Sequence, residues 1–296
     1  GMTTDAAAIT APQNRLADFF ALTKPRLNSL VVVTAGVGYL AAPRGPFDAL
    51  LLFHATVGAM LVAGGAAALN QVAERDLDAR MHRTLNRPLP SGRLHTGEAI
   101  WAALALAVAG LVQLALGANL TAALVALATL LSYVAVYTPL KRVTHWALLV
   151  GAVPGALPVM IGWSAVAPLS PSAWTLFAVV FVWQLPHFLA LTWLFREDFG
   201  RADLPLLSIS DPTGRRTANH LLVYAVLLVP VSVAPTWYGV AGMTYAVGAA
   251  TLSAGLLALG VWFARGRTTD RARLLFRATL VYLPIIWVLL LIDRTG

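Results

Sequence analysis

The chain has 296 residues, of which 58% are hydrophobic and only 11% are charged. Soluble domains carry roughly 25% charged residues, so the composition excludes an ordinary soluble protein and indicates an integral membrane protein. The sequence contains no cysteine, which excludes disulfides, thiolate metal sites and a cysteine nucleophile.

The first 26 residues precede the first apolar run. They lack the short apolar core and small-residue cleavage site of a signal peptide, and they are not arginine-rich like a transit peptide. Four apolar side chains in this segment would form a short interfacial helix, and these are Leu16, Phe19, Phe20 and Leu22. We therefore predict a cytoplasmic or interfacial segment over residues 1–26 and one polytopic membrane domain over residues 27–292.

Nine apolar runs follow, and most approach the roughly 20 residues that span the hydrocarbon core of a bilayer. They cover residues 27–42, 49–70, 97–117, 120–138, 144–166, 172–195, 218–236, 240–264 and 274–292. Prolines inside several runs are tolerated in membrane helices when neighbouring groups satisfy the freed backbone. The sequence therefore predicts an all-α integral membrane protein with nine transmembrane helices.

The cations lie mostly on one side of these nine spans. When the spans alternate, every lysine and arginine except Arg44 and Arg294 falls on the side of the N-terminus. The positive-inside rule places that side in the cytoplasm, and we expect the plasma (inner) membrane of a bacterium. Because topology explains the net charge of +8, we expect the lipid bilayer as a partner and no nucleic acid.

Polarity changes abruptly in residues 70–93, directly after the second span. Asn70, Glu74 and Asp78 stand four residues apart, so they share one face of a helix. Oxygen-bearing side chains suit a hard cation such as Mg²⁺, and the arginines of the same stretch suit phosphate oxygens. The alternative is a solvated loop held by helix pairs such as Asp76–Arg80.

A second acidic loop follows the sixth span and contains Glu197, Asp198, Asp203 and Asp211. Two acidic loops with many cations on one side indicate a diphosphate site, where carboxylates hold Mg²⁺ and cations neutralise the remaining charge. An apolar cavity between helices would take a hydrocarbon tail. The pattern thus indicates a prenyl diphosphate whose carbon–oxygen bond is ionised away from water.

The spacing Asn70-x-x-x-Glu74-x-x-x-Asp78 resembles the first aspartate-rich motif of the UbiA-type membrane prenyltransferases. The continuation through residues 75–92 is similar to the branch of that family that farnesylates protoheme IX. Segments 22–26, 137–144 and 183–199 resemble the same branch in order and spacing. The resemblance implies nine transmembrane helices around a central cavity. It also implies Mg²⁺-assisted transfer of farnesyl from farnesyl diphosphate to a vinyl group of heme b, giving a hydroxyethylfarnesyl chain.

The resemblance also implies roles at matching positions of this sequence. Catalytic groups and metal ligands would be Asn70, Glu74, Asp78 and Asp198. Diphosphate would be bound by Lys24, Arg26, Arg83, Lys141 and Arg142. Heme b would be bound by His187 and Arg87. Other roles stay open for these cations. The lysines and arginines near span ends could instead fix topology or bind lipid headgroups. Arg83 and Arg87 could pair with heme propionates or with phosphate.

Three positions depart from the family pattern. Glu74 stands where relatives in quinone pathways more often have aspartate. The second motif, D-x-x-x-D, is incomplete, because Ala202 lies four residues after Asp198 and Asp203 lies five residues after it. Ala147 stands where the heme branch often has asparagine.

The histidines divide into two groups. His187 lies inside the sixth span, where an ionisable residue is a functional candidate, either as a heme contact or as a structural hydrogen-bonding group. His54 lies in the second span outside any motif, and we predict a structural role for it. The remaining four are expected to be solvated, namely His82, His95, His145 and His220.

Two other functions fit parts of the pattern. A prenyltransferase of the same fold could act on an aromatic quinone precursor, although residues 75–84 and His187 favour heme. A secondary transporter would place polar groups in interrupted helices at mid-membrane, whereas the charges here collect at one membrane face. A downstream heme-modifying enzyme or a terminal oxidase assembly factor is a further expected partner.

Overall fold

The computed structural model describes residues 14–43 and 45–295, and its elements are helices. The short helices are α1 (Arg15–Leu22), α4 (Arg75–Asp78), α7 (Thr138–Leu140), α10 (Arg196–Arg201) and α11 (Leu207–Ser210). The longer helices are α2 (Pro25–Ala41), α3 (Ala49–Ala73), α5 (Thr96–Gly117), α6 (Leu120–Leu131), α8 (Ala147–Ser164), α9 (Pro171–Leu194), α12 (Arg215–Trp237), α13 (Met243–Gly266) and α14 (Thr269–Ile292). A π-helix over Ser132–Tyr137 joins α6 to α7. The predicted all-α membrane class is confirmed.

Eight helical runs in the described residues are long and apolar enough to cross a membrane. Each predicted span coincides with one long helical run, but α2 has only 17 residues, or about 25 Å at 1.5 Å per residue. The ninth crossing and the N-terminal orientation therefore stay predictions. Arg44 and residues 1–13 of the predicted N-terminal segment lie outside the described residues.

Two helices begin earlier than hydropathy predicts, because polar residues cap or form their first turns. Helix α12 begins at Arg215 and α14 at Thr269. The Thr268 hydroxyl accepts a hydrogen bond from Arg271 N, and Asp211 Oδ2 accepts one from Thr217 N at 2.8 Å. Arginines of these first turns are therefore helical residues rather than loop residues.

Helices α8 and α9 are the most buried spans and lie at the centre of the bundle. Small residues allow the close contacts around them, as the glycine clusters of the sequence indicate. A Cβ on Gly38 would overlap the carbonyl of Val159, and a Cβ on Gly162 would overlap the carbonyl of Ala35. Helices α2 and α8 therefore pack with their backbones in contact.

The cation-rich ends of the helices meet at one face of the molecule. The two acidic loops touch there, since Asp198 Oδ1 accepts a hydrogen bond from His82 N at 2.7 Å. Helix α1 lies at the same face, because Gln71 Nε2 donates to Leu22 O at 2.8 Å. Its Leu16 and Phe20 side chains point outward, as an interfacial helix requires, and its seat in a bilayer stays a prediction.

Candidate active site

Three oxygen-bearing side chains are buried where α3 ends. Asn70 lies in the last turn of α3, Glu74 caps that helix, and Asp78 ends α4. Helical spacing continues across the break at Glu74, because Glu74 N donates to Asn70 O at 3.0 Å and Asp78 N donates to Glu74 O at 2.8 Å. Each residue is at most 4% exposed. The alternative of a solvated loop is wrong for these three residues.

Each of the three side chains contacts one cation from a different part of the chain. Lys24 Nζ donates to Asn70 Oδ1 at 2.9 Å. The two ion pairs are Lys141 Nζ with Glu74 Oε1 at 2.6 Å and Arg87 Nη1 with Asp78 Oδ2 at 2.8 Å. We call these six residues the polar cluster. Because each buried oxygen-bearing side chain already has a cationic partner, an incoming anion and metal ion would exchange partners with groups already in place.

Lys24 lies at the electrostatic centre of the polar cluster. Its backbone is left-handed, with φ 48° and ψ 63°, a conformation that is uncommon outside glycine. Burial lowers the pKa of Lys24 to about 8, and the charges of Arg87 and Lys141 act in the same direction, against Glu74 and Asp78. The buried ammonium is therefore incompletely compensated, and an anion bound beside it would stabilise its charged form.

A stacked pair of tyrosines lies beside Lys141 and was missed by the sequence analysis. Tyr133 and Tyr137 lie at the two ends of a π-helical turn, with ring centroids 5.6 Å apart and planes 17° apart. Lys141 Nζ is 5.8 Å from the centroid of Tyr137. Their spacing of four residues places both rings on one face of a helix, a signal that could have been used, but hydropathy does not reveal the π-helix that carries them.

Asp198 binds backbone rather than the polar cluster. Its carboxylate accepts hydrogen bonds from His82 N at 2.7 Å and Arg83 N at 3.3 Å. Asp203 is exposed, has a left-handed backbone with φ 53°, and pairs with Arg80 at 3.2 Å. The second acidic loop therefore clamps the first loop, and Asp203 does not replace the missing aspartate of the second motif at the polar cluster.

Arg83 is held by aromatic rings of the second loop. Its guanidinium carbon lies 4.9 Å from the ring centroids of both Phe195 and Phe199, a cation–π arrangement. A cleft of about 330 Å³ lies next to these rings and is lined in part by Arg196 and Arg201. Glu197 and Asp198 also line this cleft, so charges of both signs meet there, at the face where the loops touch.

Two predicted diphosphate ligands lie outside the polar cluster, and their role stays a prediction. Arg142 binds Asp76 through both guanidinium nitrogens, at 2.8 and 3.0 Å, and also donates to the Ala73 carbonyl. Arg26 is exposed, and no ion pair of its side chain occurs in residues 14–43 and 45–295. The Asp76–Arg80 pair named under the solvated-loop alternative does not form, because Asp76 pairs with Arg142 and Arg80 pairs with Asp203.

His187 is fixed in a single tautomer by its neighbours. Its Nδ1 lies 2.8 Å from Thr279 Oγ1, and that hydroxyl donates its only hydrogen to Phe276 O at 2.6 Å. The hydroxyl can therefore only accept, so Nδ1 carries the imidazole proton and Nε2 has the free lone pair. The ring stacks between Trp183 and Phe276, with centroids at 5.1 and 4.9 Å.

The other histidines have different surroundings. His54 Nδ1 lies 3.5 Å from Gln113 Nε2, and the ring packs against Gly117, as expected for a structural residue. His82 and His95 are exposed as predicted. His145 is half-buried, and its Nε2 is buried without a hydrogen-bond partner; the prediction of a solvated side chain is wrong there.

The donor atoms of the polar cluster suit a hard metal ion, although they are not assembled into a cage. Among the described residues, no group of three or more histidine, aspartate or glutamate side chains is placed to hold a metal. The oxygen donors are nevertheless buried together, and Glu74 Oε1 contacts an ammonium without an aligned hydrogen bond. Asn70, Glu74 and Asp78 therefore fit Mg²⁺ by donor chemistry.

Comparisons with known proteins identify relatives of the chain. The UbiA prenyltransferase family matches residues 31–284. The chain is 44% identical over 289 residues to a protoheme IX farnesyltransferase of Solibacter usitatus, covering 94% of this chain and 99% of that protein. It is 41% identical over 286 residues to a protein of the same name from Opitutus terrae, covering 96% and 97%.

Solved structures share the fold at low sequence identity. A digeranylgeranylglyceryl phosphate synthase superposes with a TM-score of 0.79 at 16% identity, covering 94% of this chain and 98% of that one. A UbiA homolog from Aeropyrum pernix gives 0.68 at 19% identity, with coverages of 94% and 97%. A UbiA homolog from Archaeoglobus fulgidus bound to GPP and Mg²⁺ gives 0.60 at 14% identity, with coverages of 92% and 99%.

Proposed function

This chain belongs to the UbiA prenyltransferase family, and we propose that it transfers farnesyl from farnesyl diphosphate to a vinyl group of heme b. The support for heme b is its similarity to proteins named protoheme IX farnesyltransferase. The observation that carries the diphosphate is the group of cations at Lys24, Arg87 and Lys141. They come from three separate segments and meet at three buried oxygen groups.

Diphosphate binding would exchange the partners within the polar cluster. The ammonium groups of Lys24 and Lys141 would turn from Asn70 and Glu74 to phosphate oxygens, with which cations form strong charge-assisted hydrogen bonds. The oxygens thus released would become available to Mg²⁺. Arg87 lies close enough to Asp78 to follow the same exchange, so we place it with the diphosphate ligands as well as near heme.

Asn70, Glu74 and Asp78 would hold Mg²⁺, which prefers oxygen donors. The bound ion supplies positive charge that stabilises diphosphate as a leaving group. Asp198 would act one step further out, by holding the backbone of residues 82–83 over the cluster through its two carboxylate oxygens. Arg83, clamped between two phenylalanine rings, would add positive charge at the rim.

The reaction begins when the C1–O bond of farnesyl diphosphate breaks and the electron pair leaves with diphosphate. The terminal vinyl carbon of heme b then forms the new carbon–carbon bond, which leaves a cation on the carbon beside the porphyrin ring. Water adds to that carbon and loses a proton, giving a hydroxyethylfarnesyl chain. The stacked faces of Tyr133 and Tyr137 beside the cluster would favour the transient allylic cation, and burial of the site would exclude water from it.

His187 is the proposed heme contact. Its Nε2 lone pair is free because Thr279 fixes the proton on Nδ1, and neutral imidazole is a common iron ligand. The rings of Trp183 and Phe276 stack on the imidazole and hold it in place. We expect His187→Ala to raise the KM for heme b about tenfold, the effect of losing about 1.4 kcal/mol, with the KM for farnesyl diphosphate unchanged.

Steady-state kinetics of the purified variant measures this effect. His54→Ala is the matched control, because it also removes a histidine from within a span but lies beside Gln113. We expect that control to keep both KM values. Equal heme affinity and rate in His187→Ala and the unmodified protein would remove His187 from the site.

The polar cluster would face the cytoplasm in the plasma membrane of a bacterium, because the cation-rich loops surround it. A lipid-borne or cytosolic heme supply and a downstream heme-modifying enzyme or oxidase assembly factor would then meet the protein on that side.

Mass spectrometry of heme extracted from cells that express the protein tests the proposed activity. We expect a heme heavier than heme b by one farnesyl group and one hydroxyl group, absent from cells without the protein. Absence of that heme, with farnesylation of an aromatic quinone precursor instead, would replace heme b with the runner-up substrate.

A further inference from the structure

The last turn of the fourth apolar run is a π-helix, a rare element that is frequent at functional sites. It covers Ser132–Tyr137, and Thr138 follows directly. The Thr138 N–H bonds to Tyr133 O, five residues earlier, instead of the carbonyl four residues earlier. Thr138 is 2% exposed, and its hydroxyl lies against Asn70 of the polar cluster.

The hydroxyl of Thr138 has one hydrogen, which it donates to a backbone carbonyl. Thr138 Oγ1 donates to Tyr133 O at 2.8 Å, and a carbonyl oxygen can only accept. The second neighbour of the hydroxyl is Asn70 Nδ2, at 3.1 Å. Because its hydrogen is already donated, the hydroxyl can only accept from Asn70. The Asn70 amide nitrogen must therefore point at Thr138.

The contact of the Asn70 amide oxygen indicates the same orientation. Lys24 Nζ lies 2.9 Å from Asn70 Oδ1, and an ammonium has no acceptor. The amide oxygen therefore faces the cations of the polar cluster. Two independent neighbours fix one orientation, which is the orientation in which Asn70 can bind a cation.

We propose that Thr138 is a positioning residue that holds the Asn70 amide oxygen toward the cation-binding side of the polar cluster. The proposal rests on the proposed function, since it assigns the diphosphate and metal site to that cluster. The π-helix is the device that makes it possible, because it brings Tyr133 O within reach of the Thr138 hydroxyl. In a regular α-helix a threonine hydroxyl bonds to a carbonyl three or four residues earlier.

Thr138→Val removes the hydroxyl and keeps the side-chain shape. The Asn70 nitrogen then has no acceptor, and once Lys24 turns to the diphosphate the amide is free to rotate its nitrogen toward the metal ion. We expect the affinity for a bridging-sulfur analogue of farnesyl diphosphate, measured by calorimetry in Mg²⁺, to fall about ten- to a hundredfold. Loss of a group that supports a metal ligand typically has an effect of this size. Thr138→Ser, which keeps the hydroxyl, should restore affinity to within about threefold of the unmodified protein.

Thr129→Val is the matched control in the same helical run. Thr129 is also buried, at 8% exposure, and its hydroxyl bonds to Val125 O at 2.9 Å within its own helix. We expect unchanged analogue affinity for this variant. Equal loss in Thr129→Val and Thr138→Val would mean that any buried hydroxyl of this helix matters for folding, and would overturn the proposal.

A double variant tests whether Thr138 acts by orienting the Asn70 amide or only by packing. In Asn70→Asp the side chain has two equivalent oxygens and no N–H, so there is no amide to orient. We expect Thr138→Val to cost less than about threefold in that background. A full additive loss there would overturn the proposal. Binding of the analogue does not require heme, so a failure of the proposed heme reaction would leave this result readable.

Discussion

Asp78→Ala is expected to lower turnover by about a hundred- to a thousandfold, the loss typical of removing one group that stabilises developing charge. The Asp78 carboxylate is 1% exposed and pairs with Arg87 Nη1 at 2.8 Å. Its removal takes one proposed metal oxygen from the polar cluster and leaves the Arg87 guanidinium without its partner. Initial rates with farnesyl diphosphate and heme b in detergent or nanodiscs measure the effect.

Asp270→Ala is the control for that variant. Asp270 also pairs with an arginine, Arg273, at 2.7 Å, but its side chain is 87% exposed in the first turn of α14. Surface pairs contribute little, so we expect its rate to stay within about twofold. Size-exclusion profiles should match for both variants. A folded Asp78→Ala protein with normal turnover would contradict the site.

Lys141→Gln is expected to lower kcat/KM for farnesyl diphosphate about a hundredfold. The ammonium lies 2.6 Å from Glu74 Oε1 and 5.8 Å from the Tyr137 ring centroid. Glutamine keeps much of the side-chain length and removes the charge that would stabilise the leaving diphosphate. The KM for heme b should not change, because the loss falls on the diphosphate.

Arg142→Gln is the neighbouring comparison. Arg142 also carries positive charge at the end of the same helical run, but it binds Asp76 and the Ala73 carbonyl. We expect less than about a fivefold change in kcat/KM, because an exposed ion pair is worth about 0–1 kcal/mol. Equal losses in the two variants would mean that Lys141 has no special role in the polar cluster and acts only as one of the positive charges at this face.

Hydropathy and motif spacing predicted much of the fold. Each predicted apolar run became one long helical run, because burial of backbone polar groups in lipid requires continuous helix. The spacing of Asn70, Glu74 and Asp78 also predicted their shared position, since residues four apart lie on one face. Helix starts were less predictable, because capping by residues such as Thr268 extends α14 into charged sequence.

The partners of the site residues were not predictable from one sequence. Lys141 and Arg142 are adjacent cations, and their neighbours in the sequence do not show that Lys141 pairs with the buried Glu74 whereas Arg142 pairs with the exposed Asp76. Asp198 was chosen from an acidic motif, but its hydrogen-bond partners are backbone N–H groups 116 and 115 residues away in the chain. Such pairings depend on how the loops pack in three dimensions.

The π-helix could not be predicted from the sequence either. Residues 132–137 read as ordinary apolar span, and the change from α to π shifts the hydrogen bonds by one residue without changing composition. Thr138 lay within a recognised segment, yet its importance depends on the Tyr133 carbonyl and the Asn70 amide meeting at one hydroxyl.

The central claim is that the polar cluster binds the diphosphate of a prenyl substrate together with Mg²⁺. Calorimetric titration of the bridging-sulfur farnesyl diphosphate analogue into the purified protein, with Mg²⁺ and with a chelator, tests it most directly. We predict binding that requires Mg²⁺ and is lost in Asp78→Ala. Equal binding in Mg²⁺ and chelator, retained in Asp78→Ala, would place the diphosphate elsewhere and contradict the account.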